Sequence, residues 1–148
     1  MKYLKTYESM YDLAGDSYHK RQERLRVLED MSLELWDENF NVQVSSEVLS
    51  RDDKYIIVNI VKRGSLRINQ RLHNRFDYSE IKDTLLSMVS YMKSEGHSIR
   101  SIEVSDISSS NLIKYKLVDE VLLTDMAGIY KPKELNYPIG QLIIKFKE

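Results

Sequence analysis

From Phe40 the period of the apolar residues changes from helical to two, and at Asp77 it changes back. A chain with that switch has to build a sheet and cover it with helices. Val42, Val44 and Val48 alternate with Asn41, Gln43, Ser45 and Glu47, the pattern of a half-buried strand. After the turn-rich residues 50–53 (SRDD), the run KYIIVNIV is apolar on both parities and reads as a central strand. A third strand is expected from about Ser65 to His73, where Leu66, Ile68 and Leu72 alternate with Arg67, Asn69, Arg71 and His73.

The pairing follows from the same pattern. A five-residue turn, Leu49 to Asp53, sets Val44 opposite Val58. A three-residue loop of Arg63, Gly64 and Ser65, with Gly64 supplying a positive φ, sets Ile60 opposite Ile68 and Ile56 opposite Leu72. The expected product is an antiparallel meander with one apolar face. Across it should lie the clearest helix of the chain, opened by Asp77 with Glu80 as capping-box partner and closed at Gly96. Its stripe is Tyr78, Ile81, Leu85, Met88, Val89 and Met92.

An earlier helix is expected from Asp16 or Ser17 to about Asp37, burying Leu25, Leu28, Met31, Leu35 and Trp36. Its cationic segment HKRQERLR reads as a solvated face. Before it, residues 1–15 form an amphipathic N-terminal arm with Tyr3, Leu4, Tyr7, Met10 and Tyr11 at helical spacing. So short a helix is marginal alone and has to dock on its own core or on a partner. Strand character returns at Ser98 to Val104 and in Leu142, Ile144 and Phe146. Leu117 to Met126 fits helix and strand equally. The fold class is α+β: an antiparallel β meander packed on a core helix, with an N-terminal helical arm and helix, residues 16–148 forming a single domain.

The 148 residues include no cysteine, which excludes disulfides, thiolate chemistry and Cys-based metal sites. The strongest apolar run, Tyr55 to Val61, is far too short to span a bilayer, so no membrane partner is expected. His19, His73 and His97 lie on three different elements without metal-ligand spacing, and the five glycines are isolated, so no metal, cofactor or phosphate loop is indicated. Ser17/Lys20 and Ser79/Lys82 match Ser-x-x-Lys, but both serines stand at helix starts, where capping accounts for them. No catalytic residues emerge, and the expectation is a protein that is not an enzyme.

One surface does stand out. The formal charge is -1, yet residues 51–75 hold seven cations and two acids. The candidate polyanion- or partner-binding residues are Lys62, Arg63, Arg67, Asn69, Arg71, His73 and Arg75, with Tyr55 from the neighbouring strand. On the expected meander Arg67, Arg71 and His73 share the outward face with Tyr55, Ile57, Asn59 and Val61. Arginine forks suit phosphate or carboxylate, and a tyrosine can stack on a base. The same strip also fits a protein interface, or a cationic edge that discourages aggregation.

The opening Met1-Lys2-Tyr3-Leu4-Lys5-Thr6-Tyr7-Glu8-Ser9, the segment LELWDENFNV at 33–42 and FDYSEIKDTLLS at 76–87 resemble small uncharacterised proteins of tailed bacteriophages. The resemblance covers about half of the chain and implies a virion component or host-interaction factor, placed in the host cytoplasm or in the virion. It brings no catalytic residues. The leading expectation is therefore a non-enzymatic binding or assembly protein that uses its arm and outer sheet face for contacts with a protein partner or with further copies of itself. The alternative is a nucleic-acid-binding module for RNA or single-stranded DNA on the Arg-rich strand 62–75.

Overall fold

The computed structural model describes residues 18–68, 71–105, 112–125 and 131–148, and of 65–68 and 71–73 the backbone alone. The expected arm, with Tyr3, Leu4, Tyr7, Met10 and Tyr11, lies outside the described residues, as do Asn69 and the loop at 107–111.

The chain is α+β, an antiparallel sheet packed on helices. The elements run α1 (18–31), α2 (Leu33–Asp37), β1 (Phe40–Val48), β2 (Lys54–Ile68), β3 (Arg71–Asn74), α3 (Tyr78–Ser94), β4 (Ser98–Ser105), β5 (Ile113–Val118), β6 (Val121–Thr124) and β7 (Gln141–Lys147). The sheet order is β1-β2-β7-β4-β5-β6, and β3 pairs with the far half of β2. Even-numbered residues of β1, of β2 as far as Lys62 and of β7 face the helices. Ile56, Val58, Ile60, Leu142, Ile144 and Phe146 join Leu28, Leu35, Ile81, Leu85, Met88 and Met92 in one core.

The first helical stretch breaks once. Ser32 is buried, and its hydroxyl donates to the Glu29 carbonyl at 2.6 Å, competing with the regular ladder where α1 gives way to α2. Asn39, at φ 69°, ends the helical region in a left-handed conformation that asparagine tolerates. Trp36 departs from the expected stripe: it is 36% exposed, because the break turns its side of α2 away from the core. α3 forms as expected. The Asp77 N–H donates to Glu80 Oε2 at 2.8 Å and closes the capping box. At the other end Gly96 takes φ 87°, while the His97 N–H reaches the Met92 carbonyl at 2.9 Å. Gly96→Ala should cost about 1 kcal/mol for the left-handed backbone, lowering the melting temperature by roughly 2–4 °C in a thermal scan. Gly96→Asn should cost less.

The β1–β2 hairpin has the expected register, with Val44 opposite Val58 and the turn at Leu49 to Asp53. The expected loop at Arg63, Gly64 and Ser65 does not exist. β2 runs on through it to Ile68, and the chain reverses after Ile68, with Ile68 opposite Arg71. Residues 64 and 65 form a bulge, since Arg63 and Leu66 both register with His73. Gly64 serves close approach and not positive φ: a Cβ there would stand 2.0 Å from Asn74 Cγ. Opposite Ile60 and Ile56 stand Leu142 and Phe146 of β7, not Ile68 and Leu72. The apolar pattern was satisfied by a different strand.

The ambiguous stretch after Leu117 is neither one helix nor one strand. Asp119 and Glu120 both take positive φ, 49° and 67°, forming the tight turn between β5 and β6 without a glycine to mark it. Tyr78 Oη donates to the Glu120 carbonyl at 3.1 Å and ties this turn to α3. Burial and the nearby Glu120 carboxylate push the Tyr78 hydroxyl up to about 12.

Candidate functional site

The helices lie on one face of the sheet. Alternation places Asn41, Gln43, Ser45 and Glu47 of β1 on the other face, with Tyr55, Ile57, Asn59 and Val61 of β2. Because β7 and not β3 is the next strand, this outer face continues through Gln141, Ile143, Lys145 and Lys147, then Ser101 and Glu103 of β4, then Lys114 of β5. Register aligns Gln43, Asn59, Ile143, Glu103 and Lys114 in one row and Ser45, Ile57, Lys145 and Ser101 in the next. Gln141 Nε2 donates to Asn59 Oδ1 at 2.9 Å across the β2–β7 boundary. Among the described residues no helix covers this face. Tyr55, Ile57, Val61 and Ile143 are half-buried there.

A groove of about 410 Å³ crosses the face from the β1–β2 turn to the end of β6. Tyr55, Leu49 and Ser101 line it together with three cations, Arg100, Lys114 and Lys145, and three carboxylates, Glu47, Glu103 and Asp125. A β-bulge positions Arg100. Ile99 pairs with Phe146 and Ser101 with Lys145, so Arg100 is the extra residue that the ladder leaves over. Among the described residues none of these six charged groups has an ion-pair or hydrogen-bond partner. The chain therefore brings both signs of charge into one concavity without using them to satisfy each other.

The sequence-derived strip is arranged differently. Lys62 Nζ lies 2.6 Å from Glu80 Oε1 and 5.3 Å from the Phe40 ring centroid, on the helical side of the sheet. Burial opposes ionisation of Glu80, but the Lys62 ammonium and the Asp77 N–H outweigh it and hold the carboxyl below its ordinary value. Arg63 stacks over Trp36 at 5.1 Å and donates from Nη2 to the Trp36 carbonyl at 3.2 Å. Both cations thus brace their own fold. Arg75 is exposed. The backbone register sets Arg67 against Leu72 and Ile68 against Arg71. The expected single row of Arg67, Arg71 and His73 is therefore not formed by the ladder, because the reversal after Ile68 shifts the parity by one. Tyr55 keeps its expected place on the outer face.

The chain matches no family model, no curated protein and no solved structure. No helix of the described residues is long and apolar enough to cross a membrane, and among them no three His, Asp or Glu side chains gather as metal ligands.

A second polar cluster sits under α1. Arg21, only 8% exposed, makes a two-pronged contact with Glu148: Nε to Oε1 and Nη2 to Oε2, both 2.9 Å. His97 is buried beside it and donates from Nδ1 to the Lys147 carbonyl at 3.2 Å, and Arg24 lies 3.7 Å from Glu95. The expectation that HKRQERLR is a solvated face is corrected here. Arg21 stands one and two helical turns before Leu25 and Leu28, in their stripe, and Glu148 continues the core-facing row of Leu142, Ile144 and Phe146. Both elements point a charged residue inward at the same place, and a forked arginine–carboxylate contact satisfies the two together.

Proposed function

We propose that this protein is a non-enzymatic binding or assembly protein of the tailed-bacteriophage kind, a virion component or host-interaction factor, which seats another polypeptide on its outer sheet face. The supporting observation is the groove. Tyr55 and Leu49 give it apolar contact area, and its six charges, without partners among the described residues, are three of each sign. A polypeptide segment bearing both Lys or Arg and Asp or Glu satisfies such a lining. A nucleic-acid backbone would meet Glu47, Glu103 and Asp125 as well as the cations, and like charges brought together weaken binding.

The test uses peptides selected from a random display library against the full chain, with backbone NMR shifts to locate them. Selected mixed-charge peptides should perturb Tyr55, Glu103 and Lys145, and Arg100→Glu with Lys145→Glu should weaken them by roughly tenfold or more. Peptides that perturb other surfaces only, or that ignore the double reversal, would remove the groove from the account. Fluorescence anisotropy with oligo(dT) and oligo(U) tests the alternative. Salt-sensitive binding abolished by Arg67→Glu with Arg71→Glu would make the strip a nucleic-acid site.

A further inference from the structure

A sheet has two outer edges, and this one treats them unequally. At β6 the outer edge is bonded: the Thr124 N–H donates to the Lys133 carbonyl at 2.8 Å, and the Leu135 N–H to the Leu122 carbonyl at 2.9 Å. At the opposite end, among the described residues, β1 has β2 as its one sheet neighbour. The phase of its ladder shows which groups are left over. The Arg63 N–H donates to the Asn39 carbonyl at 2.8 Å and the Leu49 N–H to the Asp53 carbonyl at 2.9 Å, both at odd positions of the β1 side. Bonded pairs recur at every second residue of an antiparallel ladder. The N–H and carbonyl of Phe40, Val42, Val44, Ser46 and Val48 therefore point away from β2.

Long edges of this kind are normally guarded by proline, lysine, a bulge or a covering segment. β1 contains no proline, no cation and no glycine, and its nine residues pair with β2 without a register shift. Its one charge is Glu47. Val48 and the following Leu49 are 54% and 66% exposed, and α2, which packs on β1, adds Leu33 at 58%.

We propose that two copies of this chain join edge to edge through β1, antiparallel about a two-fold axis at Val44. The strand is complementary to itself in that register. Val44 meets Val44, Val42 meets Ser46 and Phe40 meets Val48, so residues with outward-pointing amides face one another. Between them Gln43 meets Ser45 and Asn41 meets Glu47, and the two Glu47 carboxylates are kept apart. Parity is preserved, so the apolar face of one copy continues into the apolar face of the other. Glu47 belongs to both the joint and the groove rim, but the joint rests on the backbone groups of β1 and stands whether or not the groove takes a peptide.

Sedimentation velocity of the full chain over a range of concentrations should show dimer, and Ser46→Pro should halve the mass. Proline there removes an outward N–H and no β1–β2 bond, so the circular dichroism spectrum should be unchanged. Ser46→Ala should stay dimeric. Because the chain has no cysteine, Gln43→Cys with Ser45→Cys offers a second measurement: mild oxidation should cross-link one copy to another through that facing pair. A chain that is monomeric throughout, or a dimer that keeps its mass in folded Ser46→Pro and gives no cross-link, overturns the proposal. Should Ser46→Pro fail to fold, the cross-link decides.

Discussion

Phe146→Ala should lower the free energy of unfolding by about 3–5 kcal/mol, the range for emptying a fully buried aromatic site. Phe146 is 0% exposed and stands opposite Ile56 on one side and Ile99 on the other. Its strand, β7, is the junction of the sheet: β1 and β2 lie on one side, β4 to β6 on the other. The cavity would open between both halves and the helices, where neither can close it without moving against the other. Urea unfolding should show a lower midpoint at unchanged slope. Phe146→Leu, which keeps most of the volume, should cost about 1.5 kcal/mol or less. A loss for Phe146→Ala below about 1 kcal/mol would mean that the two halves repack freely.

Arg21→Ala should cost about 3 kcal/mol, the lower end for breaking a buried ion pair, because the Glu148 side chain retains 13% exposure. Most of that cost is the carboxylate left without its partner. Arg21→Met with Glu148→Met should therefore recover most of the loss, and a double variant as unstable as Arg21→Ala would show that the helix docks by some other contact. The same cluster sets an acid limb. Burial opposes ionisation of Glu148, but the Arg21 contact outweighs it and holds the carboxyl below its ordinary 4.5. That stabilisation is full above the ordinary carboxylate range and disappears as pH falls through the lowered value. Burial, aided by the Arg24 charge, holds His97 below its ordinary 6.5, while the Lys147 carbonyl, Glu148 and Glu95 act the other way. The unfolded chain takes up that proton first, so here too stability falls as pH drops below about 6.5. Chemical denaturation across pH 3–8 should show the decline, and Arg21→Ala should flatten its carboxylate part.

The helix α3, its caps and the β1–β2 hairpin were legible because each is specified by neighbours in sequence: Asp77 with Glu80, Gly96 after Met92, five turn residues between Val48 and Lys54. The strand order was not. KYIIVNIV announces a strand buried on both faces, and Ile60 requires an apolar neighbour, but Ile68 and Leu142 satisfy that requirement equally on paper. The bulge at Gly64 and Ser65 decides for Leu142, and a glycine wanted for proximity to Asn74 has the same spelling as one wanted for a turn. With β7 unplaced, the groove could not be assembled, since Lys145, Arg100, Glu103 and Lys114 come from strands far from Tyr55 in sequence. The Arg21 contact was legible in principle. An arginine in the stripe of Leu25 and Leu28, and a glutamate in the row of Ile144 and Phe146, each break an apolar pattern at one position and so ask for each other.

The place of β7 also bears on the order in which this chain can be made. Translation delivers β1 and β2, then α3, then β4 to β6, and delivers the strand that belongs between β2 and β4 after all of them. Until it arrives, two hairpin-built fragments wait with their central edges open and their apolar faces incompletely sealed, and no amount of local folding can join them. The KYIIVNIV strand is the most exposed to misuse in that interval, because its proper neighbour is still in the ribosome while other copies of the same strand are already in the cell. Slowing the release of 141–147 should therefore raise aggregation more than slowing any earlier segment, although the finished protein would be the same.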